Sequence, residues 1–358
     1  MKKSIMWDHI SESPDRLNDL LSSNQITDFL HDFDVQKLKR VVFVASGSSL
    51  NVSLIAKRFY EELAQIEVNA YTPFDFMGNS KIMATFNPDE TLLIAISQTG
   101  TSSGTVQAIK HAKELGFNVL SLTERTNTPV EKLGDFYLNF LCGIEPCNAK
   151  TKGVSNSLYL LVLLAVHFGK EKSVISLSNF QSYLDEMKAS IEDIPATIAA
   201  TERWIEEHKD WSTIHHFLII GNGTNYGTAI EGMLKVMETL YVPASVCELG
   251  EFSHGFHRTI NHNSNVITIY TEEYGQDVMK KTNDYLKEKV KRLLVLNATS
   301  QTDPSDHVIN IKYRPLTASC LNISVALQVL ATALPEIIGY DPNSPVNEDF
   351  TKIVNTRE

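Results

Sequence analysis

"KRVVFVASGSSLNVSLIAKRFYEEL", residues 39–63, begins as an apolar run, passes through four small residues and resumes with apolar residues at helical spacing. Val41 to Val44 predict a buried strand, Ser46-Gly47-Ser48-Ser49 a turn, and Leu54, Ile55, Phe59 and Leu63 a helix. The succession returns in residues 215–240, "HHFLIIGNGTNYGTAIEGMLKVMETL". There Phe217 to Ile220 are the strand, Gly221-Asn222-Gly223-Thr224 the turn, and Ile230, Leu234, Met237 and Tyr241 continue the helix. Placing Gly47 over Gly223 aligns both strands, both turns and both helices. Each unit leads into a second strand, helix and strand: "TLLIAI", "TVQAIKHAKELG" and "FNVLSLTE" in the first half, "SNVITIY", "QDVMKKTNDYLKEKVK" and "RLLVLNA" in the second. The chain is thus duplicated in architecture and weakly in identity. Alternating strands and helices predict an α/β fold of two subdomains, each a parallel sheet with helices on both faces, a three-layer αβα arrangement.

The expected boundaries are a helical lead-in over 1–38, subdomains over 39–178 and 213–340, a helical connector over 179–212 broken at Pro195, and a polar, extended tail over 341–358. In the lead-in, Ser13-Pro14 reads as a serine cap with proline opening a helix. The 358 residues are 43% hydrophobic and 21% charged, as in a globular protein, and suit two domains. No window approaches the roughly 18 unbroken apolar residues that span a bilayer, so no membrane partner is expected. The start, "MKKSIMWDHISESPDRL", lacks the apolar core of a secretory signal. Cys142, Cys147, Cys247 and Cys320 are scattered without metal-ligand spacing and read as free thiols of a cytoplasmic protein, with no metal site. A net charge of −11 argues against a nucleic-acid partner, whose phosphate backbone needs a basic face. It leaves room for a small anion held by amide and hydroxyl donors.

Such donors gather at "SQTGTSSGT", residues 97–105, where a buried strand turns into a helix. Ser97, Gln98, Thr99, Thr101, Ser102 and Ser103 offer side-chain donors, Gly100 and Gly104 permit tight turning, and the helix start adds free N–H groups. A capped turn of this composition is common by itself. A second hydroxyl-rich turn, Ser46 to Ser49, is expected at the neighbouring strand end, where ligands of such sheets lie. The equivalent turn of the second half, "YTEEYG", carries carboxylates that would repel phosphate. The expectation is one phosphate site per chain, in the first half.

The Ser-Gly-Ser-Ser turn, the Ser-Gln-Thr-Gly turn and the second strand–turn–helix together resemble the SIS (sugar isomerase) domain family over essentially the whole chain. The likeness is greatest to the isomerase half of glutamine–fructose-6-phosphate aminotransferases, the glucosamine-6-phosphate synthases. The resemblance implies two flavodoxin-like SIS subdomains, no cofactor, a small-molecule sugar phosphate as partner, and a homodimer. It assigns the phosphate to Ser49, Ser97, Gln98, Thr99 and Ser102, supported by Gly47 and Ser48.

A second stretch carries chemistry: "AIEGMLKVMETLYVPASVCELGEFSHGFHRT", residues 229–259. Glu231, Lys235 and Glu238 fall on one helical face. A charged stripe commonly marks a solvated face, but this helix follows a ligand-turn strand and its flanks are apolar. By resemblance, Glu238 is the proton-shuttling glutamate, Glu231 and Lys235 frame it, and Glu251 and His254 lie in a Gly-Glu-x-x-His-Gly signature whose histidine assists ring opening. Lys352 in "DFTKIVNTRE" falls on a lysine that forms a Schiff base with a keto sugar. The residue types suit these roles. One carboxylate over two adjacent carbons can carry a proton between them when burial raises its pKa. A histidine gives and takes protons near neutrality, with His257 as the nearby competitor to His254. A nucleophilic lysine must be neutral.

The chain also departs from the synthases. It has no cysteine near its start to attack glutamine, so use of free ammonia, its release, or another amine is expected. Asn148, Lys150 and Lys152 replace smaller neutral residues, Phe256 follows His254-Gly255 where the family has proline, and Pro345-Val346-Asn347-Glu348 replaces Pro-Arg-Asn-Leu. Three readings follow: an isomerase and deaminase of an amino-sugar 6-phosphate; a deglycase releasing an amino acid from a fructosamine-type 6-phosphate; and a sugar-phosphate sensor without catalysis. Lys150 and Lys152 favour the second, if they meet a carboxylate. The retained Glu238 and His254 disfavour the third.

Overall fold

The computed structural model describes residues 3–347, 349–354 and 356–357, with backbone only for 351 and 352. The chain divides into two compact units. One comprises residues 1–14, 146–151 and 185–344; the other comprises 15–145, 152–184 and 345–358.

The second of these holds strands β1 (Arg40–Val44), β2 (Glu67–Tyr71), β3 (Thr91–Ile96), β4 (Asn118–Thr123) and β5 (Phe136–Asn139), all parallel, in the order β2-β1-β3-β4-β5. Every residue of β3 is buried, as expected of a parallel strand covered on both faces. Val42, Val44, Leu93 and Ala95 meet Val106, Ile109 and Phe117 in one cluster. The other unit holds β6 (Phe217–Gly221), β7 (Ala244–Glu248), β8 (Asn265–Thr271), β9 (Arg292–Ala298) and β10 (Val308–Asn310). Their order, read from β7, is β7-β6-β8-β9-β10, which repeats the first sheet strand for strand. This is the flavodoxin-like order, with its switch point between the first and third strands of each half.

The duplication extends to backbone angles. Gly47 (φ 57°, ψ −137°) opens the 17-residue helix Ser48–Ala64, and Gly223 (φ 53°, ψ −132°) opens the 17-residue helix Thr224–Leu240. A Cβ is strained at that positive φ, so glycine at both positions lets the strand turn directly into the helix. Both helices end on a left-handed residue, Gln65 and Tyr241.

Two expectations on the termini are corrected. The first helix does not begin at Ser13-Pro14: it runs Ile5–Leu21 with Pro14 inside, and Ser13 Oγ donates back to the His9 carbonyl. Met6, Ile10, Leu17 and Leu20 recur at helical spacing and are fully buried. Their burial, about 1.5–3 kcal/mol each, outweighs the roughly 3 kcal/mol that an interior proline costs. The tail is not extended throughout, since Asp349–Ile353 forms a short helix.

The helices Lys152–Glu171 and Cys320–Ile337 are long and apolar enough to cross a membrane by length and composition, yet 94% and 89% of those windows are buried. They are apolar all round because protein surrounds them. All four cysteines are free and buried. Burial pushes the Cys247 thiol up to about 11 and the Cys320 thiol to about 12.

Candidate functional site

The two hydroxyl-rich turns follow neighbouring strands, since β1 pairs with β3 in parallel register, Val44 opposite Ala95. In the first turn Ser48 and Ser49 are half-buried and begin the helix, and the Ser49 carbonyl accepts from Ser53 Oγ. In the second, Ser97 is buried and its N–H donates to Leu122, while its carbonyl accepts from the Gly100 N–H. Thr99 and Thr101 share a 3.1 Å hydroxyl contact. Ser102 is the N-cap of the helix Ser103–Glu114 without using its side chain as the cap. The cradle therefore brings together Ser97, Gln98, Thr99 and Ser102 at a helix start, beside Gly47, Ser48 and Ser49.

Gly100 holds the second turn closed. Its φ is +67°, and a Cβ there would stand 2.2 Å from Thr128 Oγ1. Thr128 is itself engaged in a capping box with Glu131. Gly100→Ala should therefore destabilise the chain by about 2–4 kcal/mol, read by urea denaturation. A loss below about 1 kcal/mol would mean that the turn relaxes freely.

The tail reaches this cradle. The Thr356 carbonyl accepts the Ser103 N–H at 3.2 Å, and Arg357 forms an antiparallel bridge with Ser102. Lys352 lies in the short tail helix, and its side chain falls outside the described residues.

The second half shows why its turn differs. Glu273 places its carboxylate at the start of the helix Thr224–Leu240: Oε1 accepts the Thr224 N–H, and Oε2 accepts from Asn225 Nδ2 and Thr271 Oγ1. An internal carboxylate thus satisfies donors at this helix start.

The helix Thr224–Leu240 carries the charged stripe. Its apolar repeat is not its buried face: Ile230 and Leu234 are half-buried and Met237 is exposed, while Glu231 and Lys235 are buried. Lys235 Nζ lies 3.2 Å from Glu231 Oε1 and donates to Glu238 Oε2 at 2.5 Å. Burial works to lower the Lys235 pKa, but the two carboxylates outweigh it and hold the ammonium above the ordinary lysine value. Burial raises the Glu238 carboxyl above the usual carboxylate range, against the pull of Lys235, and Glu231 adds to the rise. The triad sums to one negative charge. Glu238 keeps 31% of its side chain accessible, which suits a base that must meet a substrate. Lys150, in the same unit, donates to the Cys147 carbonyl at 2.6 Å, and its charge favours ionised Glu238.

Lys152 belongs to the other unit. It is 3% exposed and begins the helix Lys152–Glu171. Glu251 and His254 are exposed, on the short turn Gly250–His254 after β7, and Glu248 Oε2 accepts the Gly250 and Glu251 N–H groups. His257 is half-buried, with Nδ1 3.3 Å from the Phe252 carbonyl. Among the described residues no hydrogen bond joins His254 to the triad.

Sequence reasoning missed Glu145, which is 6% exposed. Its Oε1 accepts the Lys152 N–H, and its Oε2 accepts the Gly153 N–H and Gln98 Nε2. A loop separates it from the helix it caps, so no local capping pattern announces it.

The SIS domain model matches residues 35–167 and 212–334. A glutamine–fructose-6-phosphate aminotransferase of Caldanaerobacter subterraneus subsp. tengcongensis is 26% identical over 360 residues, covering 96% of this chain and 58% of the relative. That of Clostridium tetani is 28% identical over 262 residues, covering 72% and 41%. The chain spans about half the length of the curated relatives it matches. Among solved structures, a Clostridium difficile 630 protein classed provisionally as a phosphosugar isomerase superposes with TM-score 0.88 at 24% identity, covering 100% of this chain and 99% of its own. A glucosamine-6-phosphate deaminase of Thermotoga maritima superposes with TM-score 0.76 at 19% identity, covering 96% and 98%. These structures share the fold, and with the family model matching both halves, the chain belongs to the SIS domain family.

Proposed function

We propose that this chain is a sugar-phosphate enzyme that moves a carbonyl between adjacent carbons of an amino-sugar 6-phosphate and releases the amine. The observation that carries this reading is the Glu231–Lys235–Glu238 triad: a carboxylate raised in pKa, partly accessible, and steadied by a buried ammonium. Glu238 removes the proton beside the carbonyl and returns it one carbon along. The Ser49, Ser97, Thr99 and Ser102 turns hold the phosphate through hydroxyl and amide donors. His254 serves ring opening, and Lys352 is the candidate for the carbonyl. Curated relatives are aminotransferases of fructose 6-phosphate, which supports a 6-phosphosugar. We also propose a homodimer, since Glu251 and His254 stand exposed on their own unit.

One observation favours a deglycase as the second reading. Lys150 places a cation whose charge is felt at Glu238, as binding an amino acid's carboxylate near the reacting carbons requires. Glucosamine 6-phosphate and a fructosamine 6-phosphate of lysine separate the two: ammonia from the first supports the deaminase, lysine from the second the deglycase. Thermal stabilisation by sugar phosphates with neither release supports sensing alone.

Ser97→Ala combined with Thr99→Ala should weaken glucose 6-phosphate binding by about 100-fold or more in calorimetry, at about 1.5–3 kcal/mol per lost charge-assisted bond. Unchanged affinity would clear those hydroxyls of the role.

A further inference from the structure

The carboxamide of Gln98 is locked from behind. Nε2 donates to Glu145 Oε2 at 3.0 Å and lies 3.7 Å from Cys142 Sγ. Glu145 already accepts two backbone N–H groups, from Lys152 and Gly153 at 3.1 Å each. A carboxylate so placed can meet only the NH2 end of a carboxamide, which settles which way Gln98 is turned. Cys142 suits the second contact. Its thiol donates to Glu124 Oε2 at 3.2 Å, and its N–H donates to the same oxygen at 2.9 Å. That leaves the sulfur as an acceptor for Gln98. Gly153 completes the seat, because a Cβ there would stand 2.2 Å from Gln98 Nε2 and 2.6 Å from Oε1. The carboxamide lies flat against the start of the helix Lys152–Glu171, and only a residue without a side chain admits it.

Both hydrogens of the amide are therefore engaged with the protein. What the Gln98 side chain retains for a ligand is Oε1, an acceptor. A phosphate dianion is also an acceptor and cannot bond to it. Hydroxyls and amines of a sugar are donors and can. We propose that Glu145 and Gly153 fix Gln98 so that its carbonyl oxygen reads a donor group on the sugar, while the phosphate is left to Ser97, Thr99, Ser102 and the backbone of the turn. This rests on the sugar-phosphate reading above and divides the cradle's work: the hydroxyl residues recognise the anion, and Gln98 recognises that a polyol or amino sugar carries it. Glu145 is then a positioning residue.

The test compares two probes by calorimetry, inorganic phosphate and glucose 6-phosphate, on the full chain. Wild-type binding of phosphate, weakened by Ser97→Ala with Thr99→Ala, upholds the cradle independently of Gln98. If wild type binds neither probe, the sugar-phosphate reading falls, and this inference with it. Given that binding, Gln98→Ala should lower glucose 6-phosphate affinity about tenfold and leave phosphate within about threefold, as loss of one neutral hydrogen bond predicts. Glu145→Gln should show the same split, because a carboxamide at 145 no longer dictates which end of Gln98 faces inward. Should Glu145→Gln not fold, Gly153→Ala displaces the carboxamide by contact while favouring the helix, and the same split is expected. Equal loss of both probes in Gln98→Ala would make its side chain a phosphate ligand and overturn the proposal. No loss of either would remove Gln98 from recognition and overturn it as well.

Discussion

Glu238→Gln should slow exchange of a C1 hydrogen of fructose 6-phosphate with solvent while leaving its binding intact. The glutamine keeps the shape and can still accept from Lys235 through its oxygen, so the charge network loses only the basic site. General-base catalysis is worth about 10²–10⁴ in rate, and the exchange rate should fall by that factor. Nuclear magnetic resonance of the sugar in D2O reads the exchange, and calorimetry reads the binding. Exchange at the wild-type rate would take residue 238 out of the mechanism. The pH dependence follows from the same residue. Burial raises the carboxyl of Glu238 above its ordinary value of 4.5. The base is needed ionised, so the rate should decline on the acid side at a pH higher than 4.5. Lys150 opposes that rise through its charge. Lys150→Met should therefore move the acid limb to higher pH. A limb that stays in place would show that Lys150 does not reach the reacting carboxylate.

What was legible before the structure is what local pattern dictates. The runs at Val41 and Phe217, followed by a glycine and a helical repeat, specify a strand turning into a helix without outside help. The alignment of Gly47 with Gly223 reappears as near-identical backbone angles. The acids of the second-half turn are legible in the sequence, but not that Glu273 takes up the helix donors itself. Other features depended on partners far along the chain. The periodicity of Ile230, Leu234 and Met237 points to the wrong face of its helix. Gly232 lets a neighbour approach closely on another side, where a Cβ would meet Leu327 at 2.8 Å. A charged pair can be buried because it is internally matched. Pro14 reads as a helix start because proline is best tolerated there, whereas four buried apolar residues carry the helix through it. Glu145 stands a loop away from the amides it satisfies, so nothing near it in the sequence marks its role.

Lys235→Met should cost the largest share of stability of any single change in the triad. The lysine is 1% exposed, and it separates Glu231, 2% exposed, from Glu238. Methionine fills the same volume with a good helix former, so the loss is electrostatic and not a cavity. Removing one partner of a buried ion pair costs about 3–5 kcal/mol, because the charge left behind is neither solvated nor matched. The accessible third of Glu238 lets water screen part of this, which places the expectation at the lower end. Urea denaturation at pH 7 measures it. The sign of the pH dependence is fixed by which state binds more protons. With the ammonium gone, a buried carboxyl has a folded pKa above its unfolded value, so the folded state takes up protons as pH falls between the two. The variant should thus regain stability from pH 7 toward pH 5, and a second change, Glu231→Gln, should restore most of the loss at pH 7. A Lys235→Met chain within about 1 kcal/mol of wild type at pH 7 would mean that the carboxylates are matched by other groups, and the triad would cease to explain how Glu238 is held ready as a base.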